Sequence, residues 1–240
     1  MQILRSRQVD EPSPCPYLPG RQRQFEYFWA MELSDGELGD LLEKGWRKFG
    51  PYYFRPNCPD CRACIPVRIA VADFSPSRSQ KRVLRKNRDL QVSFGPLHFT
   101  DRVFEIYSRH AEDRFRQDSD LEDFLAGFYI SSCPTMQIDI RLDGLLIGVG
   151  FLDRAESALS SVYFCFDPAF SRRNLGTFSI LQEIERARRL GLSHHYLGYF
   201  VPGCRHMLYK DHFRPRDHLD WQSGAWKTVT DRPGSAAGAG

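Results

Sequence analysis

The segment CPDCRACIPVRIAVADFSPSRSQKRVLRKNR, residues 58–88, joins two uncommon chemistries, and the rest of the chain is organised around it. It opens with three cysteines at a spacing of C-x-x-C-x-x-C. A short apolar run at 65–71 predicts a strand, and the positively charged stretch after it predicts a helix. A site for a soft metal or a cluster is therefore expected beside a surface for a polyanion.

The cysteines suggest a metal site more than disulfides. Cys58, Cys61 and Cys64 crowd together in a chain with seven cysteines, an odd number, and Cys15 is the natural fourth ligand. Four thiolates suit a tetrahedral zinc ion or an iron–sulfur cluster, although three reduced structural cysteines would give the same spacing. The neighbouring arginines are expected to lower the thiol pKa values; they are Arg55, Arg62 and Arg68.

The charged stretch predicts a helix from Arg78 to about Asp89, with Ser77 as its N-cap. Between Arg68 and Arg88 the chain has seven basic residues and one acidic residue, Asp73. Basic residues in the first turn oppose the helix dipole, at a cost of about 0.3–1 kcal/mol each. The pattern fits either a solvated basic face or a surface on which an external anion supplies the missing counter-charge.

Composition places the chain among globular proteins. It has 240 residues, of which 42% are apolar and 26% charged, and its net charge of +3 means that a nucleic-acid surface must come from local clustering. The N-terminus lacks an apolar core of signal-peptide length, and no run approaches the roughly 18 apolar residues of a membrane span. We therefore expect a cytoplasmic protein with no membrane partner.

Turn and periodicity signals over 90–222 predict the element order β-α-α-β-β-β-α-β-α-β. This order matches the GCN5-related N-acyltransferase folds, in which a mixed sheet opens between its fourth and fifth strands. The predicted fold class is thus α+β, a mixed sheet of this type with a small cysteine-containing N-terminal region. The expected divisions are 1–89, the Cys-rich and basic region; 90–222, the acyltransferase-like domain; and 223–240, a disordered tail.

The sequence matches the coenzyme A-binding loop of acetyltransferases only in part. Acetyltransferases of this fold hold pyrophosphate on an Arg/Gln-x-x-Gly-x-Gly/Ala loop at a helix N-terminus. The best alignment here runs from Arg173 through Gly176 to Phe178, and a phenylalanine in place of the last small residue is expected to obstruct the pyrophosphate. The pattern argues against coenzyme A, and Gly176 is equally explained by a tight turn.

The stretch 196–216 is rich in tyrosine, histidine and arginine, and it falls at the expected open end of the sheet. Several of its side chains can donate hydrogen bonds to a carboxylate or a phosphate; they are Tyr199, Arg205, Tyr209, Lys210 and Arg214. These residues are the candidates for a reaction site.

Taken together, several segments resemble one family, the arginyl-tRNA–protein transferases, and in particular its short bacterial form, the aspartate/glutamate leucyltransferases. The resemblance covers roughly residues 15–220 and lies in the segments 15–19 (CPYLP), 45–50 (GWRKFG), 54–64, 75–87, 163–168 and 197–215. It implies transfer of leucine from leucyl-tRNA to the N-terminus of proteins that begin with Asp or Glu, which marks them for degradation in the N-degron pathway. There are two alternatives. The protein could transfer arginine by the same mechanism, or it could be a non-catalytic metal-dependent nucleic-acid-binding module.

The resemblance and the residues together define an expected site. Tyr199, Tyr209 and Lys210 are predicted to line the transfer site. The predicted tRNA- or acceptor-binding set is Arg78, Ser79, Gln80, Lys81, Arg82, Lys86, Arg205 and Arg214. Because the ester of an aminoacyl-tRNA is already activated, transfer mainly needs alignment and oxyanion stabilisation, and we expect no required cofactor.

Two further expectations concern cofactors and assembly. Family members have been linked to an iron–sulfur cluster, so the cysteines remain candidates for such a cluster or for zinc; the set is Cys15, Cys58, Cys61 and Cys64. The protein is expected to act as a monomer.

Overall fold

A computed structural model describes residues 1–205 and 207–230. It contains an eight-stranded sheet, a four-stranded sheet and a two-stranded ribbon. The strands are β1 Gln2–Val9, β2 Ser13–Pro14, β3 Gln22–Arg23, β4 Phe25–Met31, β5 Arg47–Phe49, β6 Tyr52–Pro56, β7 Ile65–Ala70, β8 Gln91–Gly95, β9 Thr135–Leu142, β10 Leu145–Arg154, β11 Ala158–Phe166, β12 His194–Phe200, β13 Arg216–Leu219 and β14 Trp226–Val229. The α-helices are α1 Asp35–Glu43, α2 Arg78–Lys86, α3 Asp101–Phe115, α4 Leu121–Phe128 and α5 Leu175–Arg189, and 3-10 helices occupy Pro168–Arg173 and Leu208–His212.

The large sheet has the order β14-β13-β7-β12-β11-β10-β9-β8. Its central strand β10 reads LLIGVGFLDR and is buried over 146–153, as expected for a strand covered on both faces. On one face, α3 and α4 pack over Val149 and Phe151. On the other face, α5 packs over Ile147 and Leu152.

The predicted opening of the sheet is confirmed. In the acyltransferase-like part, β11 and β12 are the fourth and fifth strands, and they pair in parallel only from Ala158↔His194 to Ser160↔Tyr196. Beyond Ser160 the two strands separate, although both continue, to Phe166 and Phe200. The predicted element order and the fold class are therefore confirmed, with the cleft between these two strands.

The small sheet packs on the large one near this cleft. Its order is β1-β4-β6-β5, and its aromatic residues meet α1 and Tyr196 in one apolar cluster. Lys48 of β5 forms a buried ion pair with Asp153 of β10, with Nζ and Oδ1 3.1 Å apart. This pair and the aromatic cluster fix β5, and with it Arg47, against the large sheet.

Residue 89, the predicted boundary between two units, is not a boundary between sheets. Strand β7, from the N-terminal side of that boundary, lies between β12 and β13 in the large sheet and pairs with both. The expected small Cys-rich region therefore donates a strand to the acyltransferase-like sheet. A division into folding units at residue 89 stays a prediction.

The predicted disordered tail begins too early. Residues 226–229 form β14, which pairs with β13 from Arg216↔Val229 to Leu219↔Trp226. The ring of Trp226 lies under Arg68, at 4.4 Å from the guanidinium carbon, which anchors this strand. Residues 231–240, the rest of the predicted tail, lie outside the described part of the chain.

The local signals for helix starts were mostly correct. Ser34 with Glu37, and Ser77 with Gln80, form capping boxes at α1 and α2, and the predicted N-cap Ser77 is confirmed. Asp120 caps α4 by accepting a hydrogen bond from the amide of Asp123. None of the helices in the described residues is both long and apolar enough to cross a membrane.

Candidate active site in the cleft between β11 and β12

Lys210 lies against the strand that borders the cleft. A β-bulge at Gly198 interrupts the pairing of β12 with β7, and Gly198 has φ +82°, which favours glycine. A Cβ at this position would be 3.2 Å from Nζ of Lys210, so the bare backbone makes room for the ammonium group. The 3-10 helix Leu208–His212 holds Lys210 in this place.

The surroundings of Lys210 disfavour its charged form. Burial, together with the positive charges of Arg47 and Arg114, lowers the pKa of Lys210 to about 8, and the carboxylate of Glu183 opposes them. These three charged residues lie on different elements, Arg47 on β5, Arg114 on α3 and Glu183 on α5. The electrostatic potential at Lys210 is therefore set by three separate parts of the fold. A substantial fraction of Lys210 is thus a neutral amine close to physiological pH.

Arg47 is a buried cation without a carboxylate. Its side chain stacks over two tyrosine rings, with the guanidinium carbon 5.2 Å from the centre of Tyr196 and 5.5 Å from that of Tyr199. Nη1 donates to the carbonyl oxygen of Trp46 at 2.5 Å, whereas Nε and Nη2 are buried with no hydrogen-bond partner in the described residues. Burial lowers the pKa of Arg47, opposed only by the two tyrosines.

The two predicted tyrosines line the same region in different ways. The hydroxyl of Tyr199 donates to the carbonyl of Gly45 at 2.8 Å and so fastens β12 to the segment before β5. Tyr209 packs against the apolar cluster beneath β12, where burial raises its pKa to about 12. Tyr199 therefore holds Arg47 in position, and both phenols stay protonated at neutral pH.

A buried carboxylate lies at the closed end of the cleft. Glu183 of α5 accepts hydrogen bonds from Ser161 and from Ser179, the latter at 2.5 Å, and its Oε2 is 3.1 Å from Nε2 of His195. Burial raises the pKa of Glu183, but the bonds from His195 and the two serines outweigh it and hold the pKa below its usual range. Ser161 is the first residue beyond the last β11–β12 pair, so this network closes the split.

The basic helix α2 is joined to the segment that carries Lys210. Gln80, in its first turn, is buried, and its Nε2 donates to the carbonyl oxygen of His212 at 3.3 Å. The same side chain closes the capping box by accepting from the amide of Ser77 at 2.8 Å. The predicted polyanion surface and the predicted transfer site are therefore neighbours.

The charges of α2 face solvent. Arg78, Lys81 and Arg82 are exposed, and none of them makes an ion pair with another described residue. Ser79 is exposed and its hydroxyl lies 3.0 Å from that of Ser77, while Lys86 donates to the carbonyl of Arg172. The first turn of α2 has no acidic residue, which leaves this face available to an anion.

Two predictions around α2 need correction. The helix ends at Lys86, so Asp89 is not on its face but forms a bidentate ion pair with Arg173, at 2.9 and 3.0 Å. This pair occupies the arginine that the coenzyme A loop would need. Phe178 is buried in the core below α5, so its ring does not obstruct the loop as expected.

The remaining predicted ligands, Arg205 and Arg214, differ in their partners. Arg205 is exposed, in the loop that follows β12. Arg214 binds Asp211, through Nε to the carbonyl oxygen and through Nη2 to Oδ2, both at 3.2 Å. Arg214 therefore stabilises the turn after Lys210, and a contact with substrate stays a prediction.

The four predicted metal ligands line one small cavity. Cys15, Cys58, Cys61 and Cys64 surround a space of about 20 Å³ together with Tyr17 and Val201, the residue that follows β12. In proteins such a space holds about one water-sized occupant. Within the described residues no three His, Cys, Asp or Glu side chains converge as a metal-binding set, so this arrangement does not by itself support a bound ion or cluster, which stays a prediction.

The arginines near these cysteines bind other partners. Arg62 donates to the carbonyl oxygens of Cys58 and Cys61, Arg55 pairs with Glu26, and Arg68 pairs with Asp217. Burial, with the other cysteines, raises the pKa of Cys64 to about 12, so the expected lowering is wrong for this thiol. Cys133 and Cys165 are buried in the core, and Cys204 lies near enough to Cys64 to affect its pKa.

Arg47, Glu183 and His195 were not among the predicted site residues. Arg47 stands in the GWRKFG segment that carries part of the family resemblance, which was the available signal. Glu183 lies on α5 and His195 on β12, and the sequence around each residue carries no motif. Only the tertiary fold brings the two side chains together.

Solved structures give remote matches. A GCN5-related N-acetyltransferase from Kribbella flavida matches 70% of this chain and 55% of its own, with 11% identity and a TM-score of 0.37. A conserved protein of unknown function from Bacteroides thetaiotaomicron matches 80% of this chain and 79% of its own, with 11% identity and a TM-score of 0.47. Because both TM-scores are below 0.5, the assignment of the fold class depends on the strand order of the large sheet and on the cleft between β11 and β12.

Sequence comparisons are much more specific. The family models described as Arginine-tRNA-protein transferase, N terminus and C terminus, match residues 13–82 and 101–220. The aspartate/glutamate leucyltransferase of Marinobacter nauticus is 37% identical over 225 residues, which cover 91% of this chain and 94% of that protein. The protein of the same name from Pseudomonas fluorescens is 38% identical over 215 residues, 87% of this chain and 91% of its own. On this similarity, and with a cleft of the predicted type, the chain belongs to the arginine-tRNA-protein transferase family.

Proposed function

We propose that this protein transfers leucine from leucyl-tRNA to the N-terminus of proteins that begin with Asp or Glu, in the cytoplasm, and that the added leucine marks them for degradation. The names of its relatives support the donor and the acceptor. One structural observation carries the proposal: Gln80 of the basic helix binds the carbonyl of His212, two residues after Lys210. A tRNA on the helix thereby brings its charged end to the cleft.

The reaction is the aminolysis of an ester. The α-nitrogen of the acceptor forms a bond to the leucyl carbonyl carbon, and the bond from that carbon to the terminal ribose oxygen of the tRNA breaks. An α-ammonium group, with a pKa of about 8, must lose a proton before it attacks. That first proton leaves to solvent. As the neutral amine attacks, neutral Lys210 accepts the second proton, which the nitrogen loses on becoming an amide, and the protonated lysine donates it to the departing ribose oxygen, so the net reaction releases one proton.

The other parts of the site bind and orient. Exposed cations of α2 attract the tRNA backbone with an affinity that falls as salt rises. Tyr199 fastens the β5 segment to β12, and Glu183 with His195 supports the closed end of the cleft. The transfer requires no cofactor in this scheme, and a metal at the cysteines would serve structure rather than chemistry.

A reconstituted assay tests the function. Purified protein is incubated with an Asp-starting peptide and with tRNA charged in turn with labelled leucine or arginine, because the family description names arginine. We expect leucine on the peptide, and none on the same peptide with an acetylated N-terminus. No transfer from either tRNA would refute the proposal, and transfer from arginyl-tRNA alone would replace the donor.

A further inference from the structure

Arg47 differs from the other buried arginines of this chain. Arg216 is 3% exposed and binds the carboxylate of Asp211, and Arg68 binds Asp217 and Glu43. Arg47 is 7% exposed, and in the part of the chain that the structure describes no carboxylate lies within ion-pair distance. Burying a guanidinium without a counter-charge is costly, and such a group strongly favours a bound anion.

The free edge of this guanidinium is suited to a planar anion. Nε and Nη2 are the two nitrogens without a partner, and this edge of an arginine forms paired hydrogen bonds to a carboxylate. Tyr196 and Tyr199 stack on the group and Nη1 is held by the carbonyl of Trp46, so its orientation is fixed before a ligand arrives. A preorganised cation of this kind loses little entropy on binding.

The position of Arg47 limits the choice of anion. Phosphates of the tRNA backbone are bulky and hydrated, and exposed cations such as those of α2 can reach them. A side chain that is 7% exposed is accessible only to a small group. Nζ of Lys210 lies against Gly198, and Arg47 stacks on the ring of the next residue, Tyr199, so the two cations are placed to serve one residue that carries both an amine and a carboxylate.

We propose that Arg47 binds the side-chain carboxylate of the first residue of the acceptor and thereby makes the enzyme selective for proteins that begin with Asp or Glu. This proposal rests on the proposed function, because it assigns the acceptor end of the same site. The paired hydrogen bonds compensate the buried charge, and the bound carboxylate places the adjacent α-amine towards Lys210. An uncharged amide in the same place would leave the guanidinium without a counter-charge.

The experiment compares acceptor peptides that begin with Asp or Asn, which differ only in charge and hydrogen bonding, in the full-length protein. In Arg47→Gln, kcat/KM for the Asp peptide should fall by about 30-fold or more, as it does when one partner of a buried charge pair is removed. The value for the Asn peptide should change little, and so should KM for leucyl-tRNA. Arg47→Lys keeps the charge and should retain part of the preference for Asp.

Arg68→Gln is the matched control. Arg68 also stacks on an aromatic ring and approaches Tyr196, but it already has carboxylate partners in the chain. Its loss should lower thermal stability and leave the Asp/Asn ratio as in wild type. An intact ratio in a folded Arg47→Gln would overturn the proposal, and so would a raised KM for leucyl-tRNA with the ratio preserved, which would place a nucleotide at Arg47.

A binding measurement tests the proposal independently of the transfer activity. A short Asp-starting peptide should raise the Tm of the wild type and not that of Arg47→Gln, whereas the Asn peptide should raise neither. If the Asp peptide stabilises Arg47→Gln as much as wild type, the assignment is wrong whatever the activity. If leucine transfer fails in the wild type but the Tm difference is present, the proposed donor fails and the acceptor site stands.

Discussion

The exposed cations of α2 and the buried cations of the cleft show two uses of positive charge in one molecule. Arg78, Lys81 and Arg82 stand in water, where salt screens their fields within roughly 8–10 Å. Arg47 and Lys210 lie in a less polar environment, in which the charge of Arg47 helps to lower the pKa of Lys210. In the proposed scheme the surface supplies affinity for a polyanion, whereas the cleft supplies selectivity and proton transfer.

The largest difference should come from Lys210. Lys210→Met is expected to lower the rate of leucine transfer by about 10²–10⁴-fold, the usual contribution of general acid–base catalysis, with leucyl-tRNA binding retained. Since the neutral amine accepts the proton, wild-type activity should rise with pH through about 8. Single-turnover transfer at several pH values measures both effects.

Lys227→Met provides the control for Lys210. Lys227 is an exposed lysine on β14 that pairs with Asp220, so its loss should leave the rate and the pH profile unchanged. A Lys210→Met protein that retains both the wild-type rate and the rise near pH 8 would remove this lysine from the mechanism and would erase the distinction between cleft and surface.

The exposed cations should affect binding rather than chemistry. In Lys81→Ala/Arg82→Ala, the slope of log K against log salt for tRNA should become shallower by roughly 0.7–0.9 per lost phosphate contact. Arg189→Ala is the control, because Arg189 is an exposed arginine of α5 that pairs with Glu185. A slope equal to that of the wild type would mean that α2 does not bind the tRNA.

Glu183 should matter for stability. Glu183→Gln is expected to lower the free energy of unfolding by about 1–3 kcal/mol at neutral pH, because it disturbs a buried hydrogen-bond network. The folded-state pKa of Glu183 is depressed, so its stabilising contribution is present above the unfolded pKa of about 4.3 and is lost as pH falls through the folded value. Urea unfolding at a series of acidic pH values should therefore show a flatter dependence in the variant.

Glu185→Gln, on the same helix, should change stability by less than about 0.5 kcal/mol, since that carboxylate is on the surface. The side chain of Glu185 is 41% exposed and pairs only with Arg188 and Arg189 of its own helix. Equal effects of the two substitutions would show that the buried network contributes nothing of its own.

Removal of metal should have the smallest effect. After chelation, confirmed by metal analysis, the transfer rate is expected to equal that of untreated protein, because the proposed chemistry passes through Lys210. Thermal stability is the readout for a structural ion at Cys58, Cys61 and Cys64. A loss of transfer that is restored by zinc or iron would contradict the assignment of the chemistry to the protein side chains alone.

The sequence predicted features that depend on neighbours along the chain. Capping by Ser34 and Ser77, and the strands that give the sheet, follow from spacings of a few residues. The insertion of β7 between β12 and β13 was not predicted, because strand order depends on contacts across more than 120 residues of chain. The 226–229 strand was missed for the same reason, since it is stabilised by β13 and Arg68.

The residues of the candidate site also divide into those that local sequence predicts and those that depend on tertiary contacts. Lys210 and the α2 cations were predicted from clusters of polar residues, and the structure places both near the cleft. Arg47 looks like an ordinary basic residue in the sequence, and its function depends on burial without a partner, which only packing can create. Glu183 and His195 likewise acquire their roles from a helix lying across a strand.

The location of the acceptor is the most direct test of the account. An Asp-starting peptide with a photoreactive second residue would be bound with a leucyl-tRNA analogue in which a stable amide replaces the ester, irradiated, and mapped by mass spectrometry. The account predicts labels on the strands that border the cleft, within 161–166 and 198–200, and on the segment around Lys210, with loss of labelling in Arg47→Gln. Labels confined to the cysteine cavity or to the edge strand β1 would contradict it.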